Sequence, residues 1–141
     1  MTSYFDTSLL IKLYVFEDRS DEVADIVARG DFEPMISWVS IVEMASGLHR
    51  RTAPSTNHLA EAAYVEFQSD RKRGIYTVVG VDGEAIDLAC TLGEKYGKEL
   101  NLRALDILHV AIALRHGADS FGTFDQRQAK LAVAVGLKSI G

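Results

Sequence analysis

The sequence predicts an α/β fold of three layers, in which helices cover both faces of a mostly parallel central sheet. Short β-rich apolar runs alternate with amphipathic helical segments, the pattern of strands joined by helical crossovers. The 141 residues are 48% hydrophobic and 25% charged, which is typical of a globular chain that buries a core without disulfides. We therefore predict a single domain over residues 1–141.

The first half of the chain predicts two strands and four helices. A helix start at Ser20 is favoured because the following acids stabilise the positive end of a helix, and Gly30 is a natural stop. Ser40 and Glu43 have the spacing of a capping box, which places a further helix start at Ser40. The predicted elements are strand Ser3–Phe5, a helix through Leu9 and Tyr14, helix Ser20–Arg29, strand Phe32–Ser37, a helix from Ser40 and helix Thr56–Arg73.

The second half continues the alternation, with glycines as helix stops. Gly97 is expected to end one helix and Gly117 another. The single cysteine, Cys90, falls in a helical pattern and is expected in the core. The predicted elements are strand Ile75–Val79, helix Glu84–Tyr96, buried helix Leu105–His116, strand Ser120–Phe124, helix Gln126–Val135 and strand Leu137–Ile140.

Composition and charge exclude several classes of protein. No apolar run approaches the roughly 18 residues of a membrane helix, and the N-terminus lacks the basic-then-apolar pattern of a signal peptide. With one cysteine the chain forms no internal disulfide, so we expect a cytoplasmic protein without a membrane segment. Its net charge of −5 argues against nucleic-acid binding by bulk attraction. A nucleic-acid function then requires a local basic surface or metal ions among the acids.

Two acids follow predicted strands directly. Asp6 comes after the first strand, and Asp125 comes after Phe121–Phe124. Sites in parallel α/β sheets form at the carboxyl ends of strands, so both carboxylates are expected at one edge. Either residue is equally suited to cap the helix that follows it.

Two further acids fall in first turns of predicted helices. Glu43 has a structural alternative as the Glu of the capping box. Asp106 lies in an otherwise apolar helix, where an ionised carboxylate is costly without a compensating partner. Arg103, three residues earlier, is one possible partner, and a metal ion is another.

The four acids together predict a metal centre. Four carboxylates at one sheet edge repel each other unless a cation balances them. Oxygen ligands favour Mg²⁺ or Mn²⁺ over zinc, and such ions activate water for attack on a phosphodiester. We therefore interpret Asp6, Glu43, Asp106 and Asp125 as metal ligands.

Four segments resemble the PIN-domain ribonucleases, and more narrowly the VapC toxins of toxin–antitoxin pairs. They are Tyr4–Ser8, Ser40–Glu43, Leu102–His109 and Thr123–Asp125, in the family's order over nearly the whole chain. The resemblance implies a single PIN-like domain and a Mg²⁺- or Mn²⁺-dependent endoribonuclease acting on RNA. It also implies inhibition by a VapB-type antitoxin and a homodimer. By the same resemblance Asp6, Glu43, Asp106 and Asp125 are the catalytic acids, with Thr7, Ser8 and Thr123 in support.

Several residues near these motifs keep two interpretations. His109 follows Asp106 by one helical turn and is either a packed histidine bonded to a carbonyl or an acid, or a residue that supports a metal ligand or contacts the substrate. The basic runs Arg50–Arg51 and Arg71–Arg73 are either solvated helix ends or phosphate contacts beside the acidic site.

Two other functions remain as alternatives. Asp6 after a first strand is also compatible with a phosphatase that forms an aspartyl-phosphate. Such enzymes need a later lysine and usually a paired acid near the last motif, and Thr123–Gln126 lacks that pair. A catalytically silent domain that only binds a partner is the third possibility. Metal binding that depends on Asp6 and Asp106 discriminates an enzyme from a silent domain.

Overall fold

The computed structural model describes residues 1–15, 19–30, 32–50 and 54–140. Within these ranges the chain forms five strands and seven α-helices. The strands are β1 (Thr2–Phe5), β2 (Glu33–Ser37), β3 (Thr77–Val79), β4 (Ser120–Gly122) and β5 (Lys138–Ile140). The helices are α1 (Thr7–Ile11), α2 (Ser20–Arg29), α3 (Trp38–Arg50), α4 (Asn57–Lys72), α5 (Gly83–Leu100), α6 (Ala104–Arg115) and α7 (Gln126–Ala134), with a 3₁₀ turn at Pro54–Thr56.

The five strands form one sheet in the order β3-β2-β1-β4-β5, and every neighbouring pair is parallel. The chain runs outward from β1 to β3 and then crosses to the other side of β1 at β4. This reversal lies between β1 and β4, and in open α/β sheets such a point leaves a crevice beyond the strand ends. The predicted α/β fold is confirmed, and the described sheet is wholly parallel.

Neighbouring residues of β1 point to opposite faces of the sheet and enter different cores. Tyr4 packs with Met35 and Phe121 against α5, α6 and α7. Phe5 packs with Ile36 against helices α1 to α4. The alternation follows from the two-residue period of a strand, and it produces the three predicted layers.

The C-terminal ends of α1 and α5 differ from the sequence prediction by several residues. α1 ends at Ile11, and the segment through Tyr14 continues as turns, so this helix is shorter than predicted. α5 passes through Gly97 and ends at Leu100, where Asn101 adopts a left-handed conformation with φ of 51°. Gly97 stays helical, and α6 packs beside it, with Ile107 Cδ1 at an ordinary contact distance of 3.8 Å from the position of an added Cβ.

The expected burial of Cys90 is wrong, because this cysteine is exposed. Ala85 and Leu92 form the buried side of α5, with Leu88 packed against the same core. Cys90 lies two residues from both Leu88 and Leu92, on the opposite side of a helix with 3.6 residues per turn.

Among the described residues, no helix is long and apolar enough to cross a membrane.

Candidate active site

All four predicted acids line one cleft at the carboxyl edge of the sheet. The cleft has an empty volume of about 600 Å³ and lies beyond the ends of β1 and β4. Its lining comes from α1, α3, α6 and the start of α7, so distant segments of the chain meet here. The lining residues are Asp6, Thr7, Ser8, Ile11, Glu43, Gly47, Arg50, Asp106 and Asp125.

Asp6 serves as a helix cap and also lines the cleft. It follows β1, and its Oδ2 accepts a hydrogen bond from the backbone N–H of Ser8 at 3.2 Å. The residue is only 6% exposed. Its Oδ1 accepts a long contact of 3.5 Å from Gln128 Nε2 and lies 3.8 Å from His109 Nε2. The capping interpretation and the site interpretation of Asp6 are therefore compatible.

The capping box of α3 lies three residues earlier than predicted. α3 begins at Trp38, and Ser37 and Ser40 exchange side-chain and backbone hydrogen bonds at 3.0 Å and 3.4 Å. A helix start at Ser40 is therefore wrong, because Ser37 at the end of β2 takes the capping position. Glu43 then lies in the second turn, where it is not needed to cap the helix and its side chain lines the cleft.

Glu43 is held by neighbouring donors. Its Oε1 accepts a hydrogen bond from Thr7 Oγ1 at 3.0 Å and contacts His109 Nε2. Burial raises the pKa of the Glu43 carboxyl, but the hydrogen bond and charge of His109, the Thr7 hydroxyl and the charge of Arg50 outweigh burial and lower it. Glu43 is therefore ionised at neutral pH.

His109 lies beneath the cleft and is 1% exposed. The ring is packed and bonded to an acid, since Glu43 is its partner. Burial lowers the pKa of the imidazole, yet Glu43, Asp6 and Asp106 together raise it above the ordinary value. The ring is therefore coupled electrostatically to three of the four acids.

Asp106 is in the first turn of α6, and like charges surround it. Burial raises the pKa of its carboxyl, and the charges of Asp125 and Asp6 raise it further. The backbone N–H of Arg103 and the charge of His109 act in the opposite direction without reversing the shift. Arg103 therefore acts through its main chain. The pKa of Asp106 stays raised because its neighbours do not fully compensate the negative charge of its carboxylate.

Asp125 caps α7 and faces the same cleft. Its Oδ1 accepts hydrogen bonds from the backbone N–H groups of Arg127 at 2.9 Å and Gln128 at 3.2 Å. The backbone N–H of Asp125 donates in turn to Thr123 Oγ1 at 3.0 Å. Thr123 thus supports the turn that carries Asp125, and it contacts Ser8 Oγ at 3.3 Å.

Gln128 is a site residue that the sequence interpretation missed. It is fully buried, and its Nε2 donates to the backbone oxygen of Asp106 at 3.1 Å and, more weakly, to Asp6. Its Oε1 accepts from Thr123 Oγ1 at 2.7 Å. A signal was available, because Gln128 has the helical spacing of Leu131 and Ala132 and is a polar residue on the buried face of α7.

The two basic runs have different positions. Arg50 lines the cleft on the same side of α3 as Glu43 and Gly47. Arg71 and Lys72 line a separate cleft with Gln68 and Val78. Arg51 lies outside the described residues.

The donor chemistry of the cleft suits a hard divalent cation. It offers four carboxylates, with hydroxyls from Thr7 and Ser8, and oxygen ligands of this kind are those that Mg²⁺ and Mn²⁺ prefer. In the described part of the chain, no three His, Cys, Asp or Glu side chains stand as a ready-made metal cage. A bound cation would offset the mutual repulsion of these carboxylates.

The comparison with family profiles decides the relationship, since the PIN domain profile matches residues 3–134. The chain belongs to the PIN domain family. A search of curated proteins found no match to this PIN domain.

Solved structures share the fold of this PIN domain at low sequence identity. VapBC2 from Rickettsia felis, bound to a DNA fragment from their promoter, matches with a TM-score of 0.71 and 14% identity over 100% of both chains. VapC20 from Mycobacterium tuberculosis, a sarcin-ricin loop cleaving toxin, gives 0.68 and 20% over 96% of this chain and 95% of that one. A toxin–antitoxin complex from Klebsiella pneumoniae gives 0.61 and 16% over 89% and 88%.

Proposed function

We propose that this PIN domain is a Mg²⁺- or Mn²⁺-dependent endoribonuclease that cleaves RNA phosphodiester bonds. The observation that supports the proposal most strongly is the cleft lined by Asp6, Glu43, Asp106 and Asp125. These acids come from four separate elements, and their meeting at the β1–β4 crevice places them where α/β sheets bind ligands.

The four acids are proposed to hold the cation. Burial and mutual repulsion raise the pKa of Asp106, so a cation in the cleft gains from neutralising it. A bound divalent ion would supply the positive charge that activates a water nucleophile and offsets charge developing on the phosphate. Glu43 is ionised before any cation binds, because hydrogen bonds from His109 and Thr7 stabilise its carboxylate.

Arg50 is the residue proposed to contact the substrate's backbone. It lines the acidic cleft. The four carboxylates repel the phosphates of RNA, so a positive side chain nearby helps the RNA to approach. Arginine suits this role because its planar guanidinium matches the geometry of a phosphate. The overall charge of −5 makes such a local contact more important.

The biological role proposed for this nuclease is the toxin of a toxin–antitoxin pair. Support comes from the resemblance of its four motifs to VapC toxins and from structural neighbours in VapBC and other toxin–antitoxin complexes. The proposed partners are RNA as substrate, a VapB-type antitoxin as inhibitor and a second copy of the chain in a homodimer. Copurification of the chain with the product of an adjacent gene for a short DNA-binding protein tests the antitoxin assignment.

The decisive experiment is the replacement Asp106→Asn. We expect the variant to fold and to lose nearly all cleavage of total cellular RNA, because the amide removes one negative ligand from the cation site. Asp87→Asn is the matched control, since Asp87 is an exposed acid of α5 outside the cleft. Cleavage is measured by gel analysis and by sequencing of the new RNA ends, and folding by circular dichroism.

The result that rejects the assignment is wild-type cleavage by Asp106→Asn. Loss of cleavage in both variants also counts against it, because Asp87 has no place in the proposed chemistry. Stable incorporation of phosphate on Asp6 would instead favour the aspartyl-phosphate alternative.

A further inference from the structure

A chain of buried polar side chains runs from the centre of the sheet to the edge of the acidic cleft. Tyr4 of β1 is fully buried, and its hydroxyl contacts His109 Nδ1 at 2.6 Å and Ser37 Oγ at 2.8 Å. The other imidazole nitrogen of His109 contacts Glu43 Oε1. Three elements, β1, α6 and α3, are thus connected through one histidine ring.

The neighbours of the ring determine where its hydrogen lies. Nε2 faces two carboxylates, Glu43 in contact and Asp6 at 3.8 Å, so it carries a hydrogen in both the neutral and the cationic forms of the ring. Burial raises the pKa of the Tyr4 phenol, which therefore stays protonated. Its O–H donates a hydrogen bond to Nδ1 when the ring is neutral. Tyr4 consequently supports the tautomer that donates to Glu43.

The two oxygens of Glu43 have different environments. Oε1 accepts from both Thr7 Oγ1 and His109 Nε2. Within residues 1–15, 19–30, 32–50 and 54–140, Oε2 has no hydrogen-bond partner, and the side chain lines the cleft. One oxygen is therefore anchored by protein donors, while the other is available to a ligand.

We propose that His109, oriented by Tyr4, is a positioning residue that fixes the Glu43 carboxylate for binding of a divalent cation. The inference rests on the proposed metal-dependent function and extends it to two residues behind the carboxylates. His109 is three residues after Asp106 on α6, so a single helix presents one carboxylate to the cleft and holds a second one in place. Groups that orient a metal ligand through a hydrogen bond commonly contribute 10–100-fold, as an order of magnitude, to metal affinity.

The test compares two replacements of the histidine by Mn²⁺ titration calorimetry at fixed pH and salt. His109→Leu fills similar space without a donor, and we expect its Mn²⁺ affinity to fall by roughly 10–100-fold. His109→Gln places an amide N–H near the position of Nε2, and we expect it to recover most of that loss. A purely structural role for the ring predicts no such recovery.

A matched pair of buried tyrosines separates positioning from general loss of stability. Tyr4→Phe is expected to lower Mn²⁺ affinity in the same direction as His109→Leu but to a smaller extent. Tyr76→Phe removes a buried hydroxyl that is bonded to Tyr14 in the other core, and it is expected to leave the affinity unchanged. Thermal unfolding of every variant establishes that each is folded under the conditions of titration.

A spectroscopic measurement tests the same contact without metal. The ¹⁵N shifts of the His109 imidazole in the wild-type protein should show a protonated Nε2, and Glu43→Gln should alter that signal. An unprotonated Nε2, or equal Mn²⁺ affinity in wild type and His109→Leu, overturns the inference and leaves the nuclease proposal intact. Absence of Mn²⁺ binding by the wild-type protein refutes the metal-dependent function itself, and the inference falls with it.

Discussion

The Glu43 side and the Asp106 side of the cleft carry the same kind of charge in opposite environments. Burial raises the pKa of both carboxyls. At Glu43 the donors His109 and Thr7 outweigh burial, so the pKa falls. At Asp106 the neighbouring charges of Asp125 and Asp6 add to burial, so the pKa rises.

This difference assigns separate tasks to the two sides. The neighbours of Glu43 stabilise its negative charge, whereas the acidic neighbours of Asp106 disfavour its negative charge. Under the proposed function, a cation in the cleft would relieve repulsion on the Asp106 side and would meet, on the Glu43 side, a carboxylate already held by His109 and Thr7. Metal removal and substitutions on each side of the cleft test this asymmetry.

The largest effect is expected from removal of metal. EDTA should abolish RNA cleavage, and added Mg²⁺ or Mn²⁺ should restore it. Binding should also stabilise the fold, by about 2.7 kcal/mol at a free Mn²⁺ concentration 100 times its Kd. Activity assays and thermal melts measure the two effects, with Asp106→Asn as the variant expected to show a much smaller Mn²⁺ shift. Full cleavage by a metal-stripped sample contradicts the prediction.

The asymmetry also predicts different effects of two neutralising substitutions on the stability of the metal-free protein. Glu43→Gln should destabilise the fold by about 1.5–3 kcal/mol, because it weakens a hydrogen bond between charged groups over the buried His109. Asp106→Asn should leave the stability unchanged or raise it by less than about 1 kcal/mol, because it relieves repulsion that water partly screens.

Urea unfolding in EDTA at neutral pH measures both changes. Asp87→Asn again serves as the control for loss of one exposed negative charge, and it should be close to neutral. If the two site variants shift stability in the same direction by similar amounts, the two sides of the cleft are not electrostatically distinct.

The smallest effect is expected at Arg50. Arg50→Ala should weaken binding of a labelled random-sequence RNA and reduce the slope of log affinity against log salt by about 1, as for the loss of one phosphate contact. Binding is measured in the Asp106→Asn background, so that the RNA is not cut. Arg29→Ala, which removes an exposed arginine of α2, should leave the affinity and the slope nearly unchanged. An unaltered salt slope in Arg50→Ala removes Arg50 from the proposed RNA contact.

The order of strands and helices was predictable because local signals agreed with the fold. Strand-ending acids such as Asp6 and Asp125 occur where strands meet helices, and the structure places both at one sheet edge. Predictions were wrong where another residue took the expected role. Gly97 does not end α5, which continues to Leu100 and the left-handed Asn101, and Ser40 does not cap α3, because Ser37 at the end of β2 does.

The sequence by itself determined the α/β alternation and the four acids, since hydrophobic period and turn residues act over a few neighbouring positions. Only the tertiary structure decided how those acids differ. His109 and Gln128 reach Glu43, Asp6 and Asp106 across as many as 122 residues of chain. Their effects depend on distance and burial in space, because electrostatic and hydrogen-bond energies are set by the surroundings of a group and not by its position along the chain.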